Sequence, residues 1–221
     1  SGKLSMTWPV SVYDNPSMKN FPQDLPLYDY KRLATVDGGV RNMDYTDHEE
    51  DIYVGYRYFD AFHKQVAYPF GYGLSYTTFS YGRPVVHQKG DAVMVNLTVK
   101  NTGCVAGKEI VQLYVASPRS SSLEKPVQEL KAFAKTRDLA PGESQQLALS
   151  FTRDDLASFN EAKCAWIIDA GKYQLRIGAS SRDIRVTTEL DVKGKETKVH
   201  DVLSPKVKLE LLTVKQNKEE K

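Results

Sequence analysis

The sequence predicts an all-β protein, in which a β-sandwich follows a long irregular extension. Several segments between residues 77 and 192 alternate apolar and polar side chains, and short turn sequences separate these segments. Residues 1–76 show neither this alternation nor the apolar period of a helix. The 221 residues are enough for one large domain, or for one small domain with a substantial extension.

The alternating segments predict half-buried antiparallel strands. In the clearest of them, Val93, Val95, Leu97 and Val99 share one face, and the residues between them share the other. Four further sets of residues each share a face in the same way: Val111, Leu113 and Val115; Leu147, Leu149 and Phe151; Tyr173, Leu175 and Ile177; and Ile184, Val186, Thr188 and Leu190. About seven such strands are typical of a sandwich of the immunoglobulin or fibronectin III type.

Three turn sequences fall between the predicted strands: Asn101-Thr102-Gly103, Ala140-Pro141-Gly142-Glu143 and Asp169-Ala170-Gly171. Pro-Gly suits a type II turn, because glycine readily adopts the positive φ that this turn requires. The sequence "TRDDLASFNEAKCAW", residues 152–166, is the one place in this region where a helical turn is predicted, with Thr152 or Asp154 as its cap. We expect this helical turn to connect two strands.

Composition divides the chain into three predicted parts, residues 1–76, 77–192 and 193–221. The first part is rich in Pro, Gly, Asp and Tyr. Because a compact domain rarely contains about 70 residues of irregular chain, we expect this part to lie on another body. The last part is rich in Lys and Glu, and the alternation of Val207, Leu209 and Leu211 predicts either one more strand or a frayed tail.

Residues 53–81 combine glycines with many aromatic side chains and follow no regular period. The aromatic residues could form a platform on which sugar rings stack, or they could anchor the irregular segment to a neighbouring domain. We favour anchoring, because Tyr, Phe and Arg are enriched in protein interfaces and Arg57 lies among these residues. The residues concerned are Tyr56, Tyr58, Phe59, Tyr68, Phe70, Tyr72 and Tyr76.

The composition argues against two classes of protein. Lys and Arg number 30 against 28 Asp and Glu, and the basic residues are scattered, so nucleic-acid binding is not expected. No run of about 18 apolar residues is present, so no membrane span is predicted. The N-terminus lacks a signal-peptide pattern and begins with Ser1 rather than Met, which favours a mature or truncated piece of an exported protein over an intracellular protein.

The sequence contains no motif that assigns catalytic or metal chemistry. A G-x-S-x-G pentad is absent, and "GYGLSY" precedes a strand rather than opening a helix, which argues against phosphate binding. The acidic sequence "DYTDHEED", residues 44–51, lacks the pattern of a calcium loop and is interpreted as a solvated loop or an ion-pair network. The histidines lack zinc-site spacing and are expected to be exposed: His48, His63, His87 and His200. We therefore assign no catalytic, cofactor-binding or metal-binding residue and expect no cofactor.

The chain has two cysteines, Cys104 and Cys164, which are too few to define a disulfide framework. They could form one bridge if their strands are neighbours, or they could remain as two buried thiols. We favour the buried thiols, because free cysteine is among the most buried residue types.

Six sequence motifs occur in a fixed order: "SGKLSMTWPVS", "EEDIYVGYRYFD", "YPFGYGLSYTTFSY", "VNLTVKNTGCVAGKEIVQLYVASP", "KPVQELKAFAKTRDLAPGESQQLALSF" and "AGKYQLRIGASSRDI". Together they resemble the C-terminal region of family 3 glycoside hydrolases, the β-glucosidase and β-xylosidase type. The resemblance extends to about residue 192. Ser5 stands where this family usually has Pro, and Asp51 stands where Gly is common; both differences affect the local backbone more than function.

The resemblance implies a parent protein with a (β/α) barrel, an α/β sandwich domain and a fibronectin III-like module. Residues 1–9 would then be the end of the α/β sandwich domain. Residues 53–81, hereafter the strap, would dock the β-sandwich against the catalytic body. The implied partners are the N-terminal catalytic domains and, through them, an oligosaccharide or polysaccharide substrate. A periplasmic or secreted location is implied by the resemblance alone.

The resemblance also implies an activity for the parent, namely removal of terminal β-linked sugars with retention. This reaction needs a carboxylate nucleophile and a carboxylic acid/base. In the family these residues lie in the barrel and the α/β sandwich domain, and no acidic residue of this chain matches either. We therefore expect the chain alone to be inactive and to support the catalytic domains, with loops such as residues 117–126 at the mouth of the active site.

An alternative function is a free-standing carbohydrate- or surface-binding sandwich, which would need exposed aromatic residues on one sheet face. Against it, Tyr114 is almost the only strand aromatic expected to face outward, and Trp166 is expected to fill the sandwich core. In isolation, residues 1–76 are expected to be partly disordered or to pair with another copy. Exposed apolar surface of this kind favours self-association.

Overall fold

The computed structural model describes residues 2–19, 48–201, 205, 209 and 211–214. Its strands are β1 (Trp8–Pro9), β2 (Val66–Tyr68), β3 (Phe79–Tyr81), β4 (Val85–Lys89), β5 (Ala92–Asn101), β6 (Ile110–Ala116), β7 (Glu129–Lys135), β8 (Ser144–Thr152), β9 (Ser158–Asn160), β10 (Ala165–Ile168), β11 (Gly171–Gly178), β12 (Ile184–Val192) and β13 (Lys195–Lys198). Its helices are α1 (Tyr56–Ala61) and four 3-10 helices, Val12–Asp14, Pro16–Lys19, Arg153–Leu156 and Glu161–Lys163.

Two four-stranded antiparallel sheets form a sandwich. One sheet has the order β12-β11-β6-β7. In the other sheet β5 pairs with β8 along one edge, and with β3 and β4 along the other edge, so that β3 and β4 act as two pieces of one edge strand. Two smaller sheets are attached, β13-β10-β9 and β1-β2. The prediction of an all-β sandwich is confirmed.

The sandwich core follows from the alternation of the strands. Val93, Val95, Leu97 and Val99 on β5 are at most 2% exposed, and their side chains meet those of the facing sheet in one apolar cluster. Because the neighbouring side chains on β5 point the other way, this strand has one buried face, as predicted. The predicted faces of β6, β8 and β11 contribute to the same cluster, whereas the predicted face of β12 contributes only Leu190.

Strand β6 differs from the others because both of its faces are buried. Val111, Leu113 and Val115 point into the sandwich core. Gln112 and Tyr114 point away from it, yet they are only 3% and 0% exposed. Tyr114 thus faces outward from the sandwich as expected, but it is not exposed, because another part of the chain covers this face.

The predicted turn at Pro141-Gly142 is confirmed. Gly142 has φ of 79°, and the backbone N–H of Glu143 donates to the carbonyl of Ala140 at 2.9 Å. Positive φ at the third turn position is the feature that favours glycine there. This turn leads directly into β8.

The predicted helical turn is also confirmed, as the 3-10 helix Arg153–Leu156 between β8 and β9. The carboxylate of Asp155 accepts hydrogen bonds from the backbone N–H and the hydroxyl of Thr152, at 2.6 and 2.8 Å. This arrangement closes the first turn, since it satisfies a backbone donor that the helix itself cannot.

Replacing Asp155 by alanine should lower the free energy of unfolding by about 1 kcal/mol at neutral pH. The hydrogen bonds from Thr152, above all that of its backbone N–H, hold the pKa of Asp155 below its ordinary value. A depressed carboxyl pKa stabilises the folded state above the ordinary pKa, and this contribution is lost as the pH falls through the folded-state value. Urea unfolding should show the difference between the two proteins closing in acid, and a difference unchanged by pH would contradict this account.

Trp166 does not fill the sandwich core, so that prediction was wrong. On β10, Ala165, Ile167 and Ile168 are buried, at 0%, 8% and 3% exposure, and the strand alternation turns Trp166 to the face opposite Ala165 and Ile167. There it is 47% exposed and packs edge-on against Phe159 of β9.

The two cysteines also differ from the favoured interpretation. Both are free thiols, and Cys104 is exposed while Cys164 is half-buried. Neither lies on a buried strand face: Cys104 follows the end of β5, and Cys164 ends the 3-10 helix Glu161–Lys163 with φ of 47°. The expectation for the histidines is confirmed, since all of them are exposed.

The C-terminal part adds one strand and then returns to the strap. Strand β13 pairs with β10 beyond residue 192. Of the residues predicted to alternate in the tail, Val207 lies outside the described residues, and Leu209 and Leu211 are not in a strand. Leu212 packs against α1, and its backbone N–H donates to the backbone carbonyl of Glu49 at 2.7 Å.

The three domain boundaries stay predictions. None of the helices in the described ranges is long and apolar enough to cross a bilayer.

Candidate functional site

The strap crosses the outer face of β6 and is fastened there by Gln112. The side-chain amide of Gln112 donates to the carbonyls of Gly71 and Ala179, at 3.1 and 2.8 Å, and its oxygen accepts from the Tyr114 hydroxyl at 2.5 Å. Gln112 and Tyr114 are buried, so each of these bonds is shielded from water. One side chain of β6 therefore binds both the strap and the residue that follows β11.

The aromatic residues of the strap act mainly as anchors. The ring of Tyr56 stacks on Phe70 at 4.8 Å and meets the edge of Tyr114 at 6.0 Å. Its hydroxyl accepts the backbone N–H of Leu130 on β7 at 2.8 Å. Tyr58 is 8% exposed, in a cluster with other strap residues. The anchoring interpretation is confirmed for these residues, since they bury apolar area and satisfy a strand donor.

Arg182, between β11 and β12, forms a second attachment. Its guanidinium donates to a carboxylate oxygen of Asp60 at 2.8 Å and to the carbonyls of Phe59 and Lys64 at 3.1 and 3.0 Å. Burial raises the pKa of Asp60, and the guanidinium of Arg182 opposes that rise without cancelling it. The arginine thus holds the end of α1 and the turn that follows it.

The loop of residues 117–126 is joined to both the strap and the C-terminal segment. The Tyr53 hydroxyl donates to the carboxylate of Glu124 at 2.6 Å, and the backbone N–H of Val214 donates to the same oxygen at 2.8 Å. Burial, and then the bond to Glu124, raises the pKa of Tyr53 well above its ordinary value. Tyr53 is 1% exposed, so the phenol is held neutral as a donor.

The same loop is fixed to the sandwich by Asp169. The backbone N–H and hydroxyl of Ser122 donate to Asp169 at 3.1 and 2.7 Å, and the Lys125 ammonium lies 3.2 Å from its other oxygen. Burial opposes ionisation of Asp169, but the bonds from Ser122 and the charge of Lys125 outweigh it, so that the pKa is lowered. The loop therefore has a defined conformation beside β10 and β11.

The N-terminal segment runs alongside the strap. Leu4 exchanges backbone hydrogen bonds with Gly71 and Tyr72, both of 2.8 Å. The ammonium of Lys3 lies 3.2 Å from the carboxylate of Glu109 and donates to the carbonyl of Ala179 at 3.0 Å. The side chains of Lys3 and Glu109 are only 12% and 6% exposed. A buried ion pair thus joins residue 3 to the sandwich.

Beyond these attachments the N-terminal segment and the strap expose a group of large apolar side chains, which we call the apolar edge. Trp8 and Tyr68 are in edge-on contact across the β1–β2 pair, and Tyr68 in turn contacts Tyr72. Leu74, two residues after Tyr72, lines a cavity of about 400 Å³ together with Tyr72. The apolar edge comprises Met6, Trp8, Tyr68, Leu74 and Tyr76, which are 60%, 51%, 44%, 78% and 98% exposed. Large apolar side chains exposed on neighbouring segments in this way are typical of interaction surfaces.

Comparison with known proteins shows what the chain is similar to. Residues 109–181 match the fibronectin type III-like domain. β-Glucosidase A of Butyrivibrio fibrisolvens is 38% identical over 208 residues, which cover 84% of this chain and 23% of that protein. The structure of β-glucosidase 3B from Thermotoga neapolitana in complex with glucose matches with 42% identity and a TM-score of 0.76, over 90% of this chain and 26% of that chain. The GH3 β-glucosidase of Bifidobacterium adolescentis matches with 34% identity and a TM-score of 0.74, over 92% of this chain and 28% of that chain. The chain is therefore similar to the C-terminal region of family 3 β-glucosidases.

The chain spans about a quarter of the length of these family 3 relatives. It corresponds to their C-terminal region and carries the fibronectin type III-like domain, as the sequence motifs predicted. The remaining three quarters of the relatives therefore hold domains that this chain does not include.

Three acidic residues whose side chains are at most 11% exposed have structural partners. Glu109, Asp60 and Asp169 each hold the strap, the N-terminal segment or the 117–126 loop in place. Of the acidic sequence at residues 44–51, residues 44–47 lie outside the described ranges, and His48 lies 3.4 Å from buried Glu50. Within the described residues, no three acidic, His or Cys side chains are grouped to hold a metal ion.

Sequence reasoning missed the residues that fasten the strap, namely Gln112, Arg182 and Glu124. For Gln112 a signal was present, because one polar residue interrupts the apolar run "IVQLYVA" of β6. A polar side chain in such a run is usually buried with a defined partner. Arg182 and Glu124 lie in loops among other charged residues, and nothing in their local sequence distinguishes them.

Proposed function

We propose that the chain is the C-terminal structural module of a family 3 glycosidase that removes terminal β-linked sugars with retention, and that the chain by itself is inactive. The apolar edge is the observation that carries this proposal. Five large apolar side chains are exposed on the N-terminal segment and the strap, which are paired with each other. The relatives are about four times as long as this chain. Covering these side chains with a catalytic domain would remove this surface from water, which stabilises the assembly.

The attachments of the strap support the same role. Gln112 and Arg182 hold the strap rigidly on the sandwich, and Lys3 extends that attachment to the N-terminal segment. A rigid surface docks with a smaller loss of conformational entropy than a flexible one. The module can therefore fix the position of the catalytic domains, which in retaining glycosidases must hold two carboxyl groups about 5 to 5.5 Å apart.

The 117–126 loop is the part of the module that we propose lies near the mouth of the active site. It is held in one conformation by Asp169 on one side and by Tyr53 on the other. A loop fixed in this way can shape an adjoining surface without taking part in the chemistry.

The test is a chimera of the Thermotoga neapolitana β-glucosidase 3B in which the matching quarter is replaced by this chain. We expect the chimera to hydrolyse p-nitrophenyl β-glucoside, and the same enzyme without that quarter to be inactive or insoluble. Placing aspartate at Leu74 and Tyr76 in the apolar edge should lower activity at least about tenfold, since each charge would be buried at the junction. The matched control is Phe133→Asp, because Phe133 is 69% exposed on β7, outside the apolar edge.

Two results would contradict the proposal. A truncated enzyme as active as the chimera would show that the module does not support catalysis, and edge variants as active as the Phe133 control would show that the apolar edge is not the junction. The inactivity of the chain is tested separately with purified protein and p-nitrophenyl β-glucoside and β-xyloside. Turnover by the chain alone would mean that its own Asp and Glu residues include the catalytic pair.

A further inference from the structure

The small sheet β13-β10-β9 carries Trp166 on a face of which only the end at Ile168 packs into the sandwich core. Residues opposite each other on paired antiparallel strands point to the same face. Trp166 lies opposite Phe159 on one side and Thr197 on the other, and Ile168 lies opposite Lys195. The alternation of β10 places Trp166 and Ile168 together. Two aromatic rings, a methyl-bearing hydroxyl and an ammonium group therefore share one surface.

The aromatic residues of this face are open to solvent. Trp166 is 47% exposed and Phe159 is 42% exposed. Their ring centroids are 5.4 Å apart with an interplanar angle of 60°, so Phe159 supports one edge of the indole. An aromatic ring that is held by a neighbour presents a defined apolar surface at low entropic cost.

Beside Trp166 the surface forms a cavity of about 340 Å³. The 3-10 helix Arg153–Leu156 and the residue after it supply one wall through Asp154 and Ala157, and the sheet face supplies the other. The ammonium of Lys195 lies 2.8 Å from the carboxylate of Asp154, and their side chains are 41% and 64% exposed. The cavity thus combines an aromatic wall with a hydroxyl, an ammonium donor and a carboxylate acceptor.

This combination matches a neutral sugar better than other ligands. A pyranose ring has an apolar C–H face that can lie on an indole and a rim of hydroxyls that need both donors and acceptors. Asp154 offsets the charge of Lys195, so an anionic ligand gains little net attraction. The volume is within the usual range for a small-molecule site and is lined by a few polar groups on an apolar surface.

We propose that this cavity is a non-catalytic binding site for neutral oligosaccharides, in which Trp166 stacks on one sugar ring and Asp154, Lys195 and Thr197 bind its hydroxyls. The site does not depend on the structural role proposed above, because all of its residues lie on the small sheet and the adjoining 3-10 helix. In a larger enzyme, such a site would raise the effective concentration of a polymeric substrate near the catalytic domains.

The test uses intrinsic fluorescence and calorimetry on the whole chain. The sequence contains two tryptophans, so Trp8→Phe leaves Trp166 as the only one. Titration of this variant with cellopentaose, laminaripentaose or xylopentaose should change the Trp166 emission to saturation for at least one of them. By calorimetry on the otherwise unchanged chain, Trp166→Ala should weaken that binding at least about tenfold. Trp166→Phe should retain most of it, and Asp154→Asn should weaken it several-fold.

Phe133→Ala is the matched control, because Phe133 is an exposed aromatic on a different sheet, and its affinity should equal that of the unchanged chain. The proposal is overturned if none of the three oligosaccharides binds, or if Trp166→Ala binds as well as the control. It is also overturned if sedimentation shows a dimer that Trp166→Ala dissociates, since a second copy would then cover the face. None of these results bears on the chimera, which tests the apolar edge.

Discussion

Replacing Gly71 by alanine should lower the free energy of unfolding by about 2 to 4 kcal/mol and release the strap from β6. Gly71 has φ of 78°, a conformation that favours glycine. An added Cβ would also overlap the side-chain amide of Gln112. Gln112 cannot move aside without giving up its bonds to Gly71, Ala179 and Tyr114. The substitution therefore combines backbone strain with the loss of buried hydrogen bonds.

Gly90 provides the matched control for Gly71. It has a similar φ of 61°, but an added Cβ would have no neighbour within 4 Å. Gly90→Ala should therefore cost only the backbone strain, about 1 kcal/mol. Urea unfolding measures both variants, and limited proteolysis within residues 53–70 reports release of the strap. Equal losses of stability in the two variants would show that the contact with Gln112 does not hold the strap.

The sandwich could be predicted because its strands are regular. On β5 and β11 every second residue is apolar, and each of those residues is buried. A period of this kind is a property of neighbouring residues, so a single sequence contains it. The turn at Gly142 is local for the same reason, since Pro-Gly alone specifies the conformation.

The outer faces could not be predicted, because contacts from distant parts of the chain decide their burial. The alternation on β6 correctly predicted that Tyr114 points away from the sandwich core. Its burial depends on the strap, which is far away in sequence. The prediction for Trp166 was wrong for a local reason. The run "AWII" is short and apolar throughout, so its period does not say which residues face inward.

The attachments of the strap also could not be predicted from the sequence. Arg182 is separated from Asp60 by 122 positions, and Glu124 from Val214 by 90. Polar pairs at such distances leave no periodic signal. The family resemblance supplied the role of the strap, but not the residues that fasten it, which only the fold brings together.

Replacing Arg182 by alanine should lower the free energy of unfolding by about 2 to 3 kcal/mol at neutral pH. The change removes three hydrogen bonds to the strap and leaves Asp60, whose side chain is 10% exposed, without its cation. The estimate is below that for a fully buried pair, because the Arg182 side chain is 35% exposed and water screens the interaction. Arg137→Ala is the control, since Arg137 pairs with Glu143 at 2.7 Å on the exposed surface, and it should change stability little.

The effect of Arg182→Ala should depend on pH with a defined sign. The pKa of Asp60 is raised in the folded protein, mainly by burial, and loss of the opposing guanidinium should raise it further. A carboxyl group whose folded-state pKa is raised favours folding when it is protonated, and it disfavours folding as the pH rises through that pKa. The stability deficit of the variant should therefore shrink as the pH is lowered, because protonated Asp60 needs no cation. Urea unfolding of both proteins over an acid-to-neutral series measures this, and a deficit that stays constant or grows in acid would mean that the carbonyl contacts of Arg182, rather than its pairing with Asp60, hold the strap.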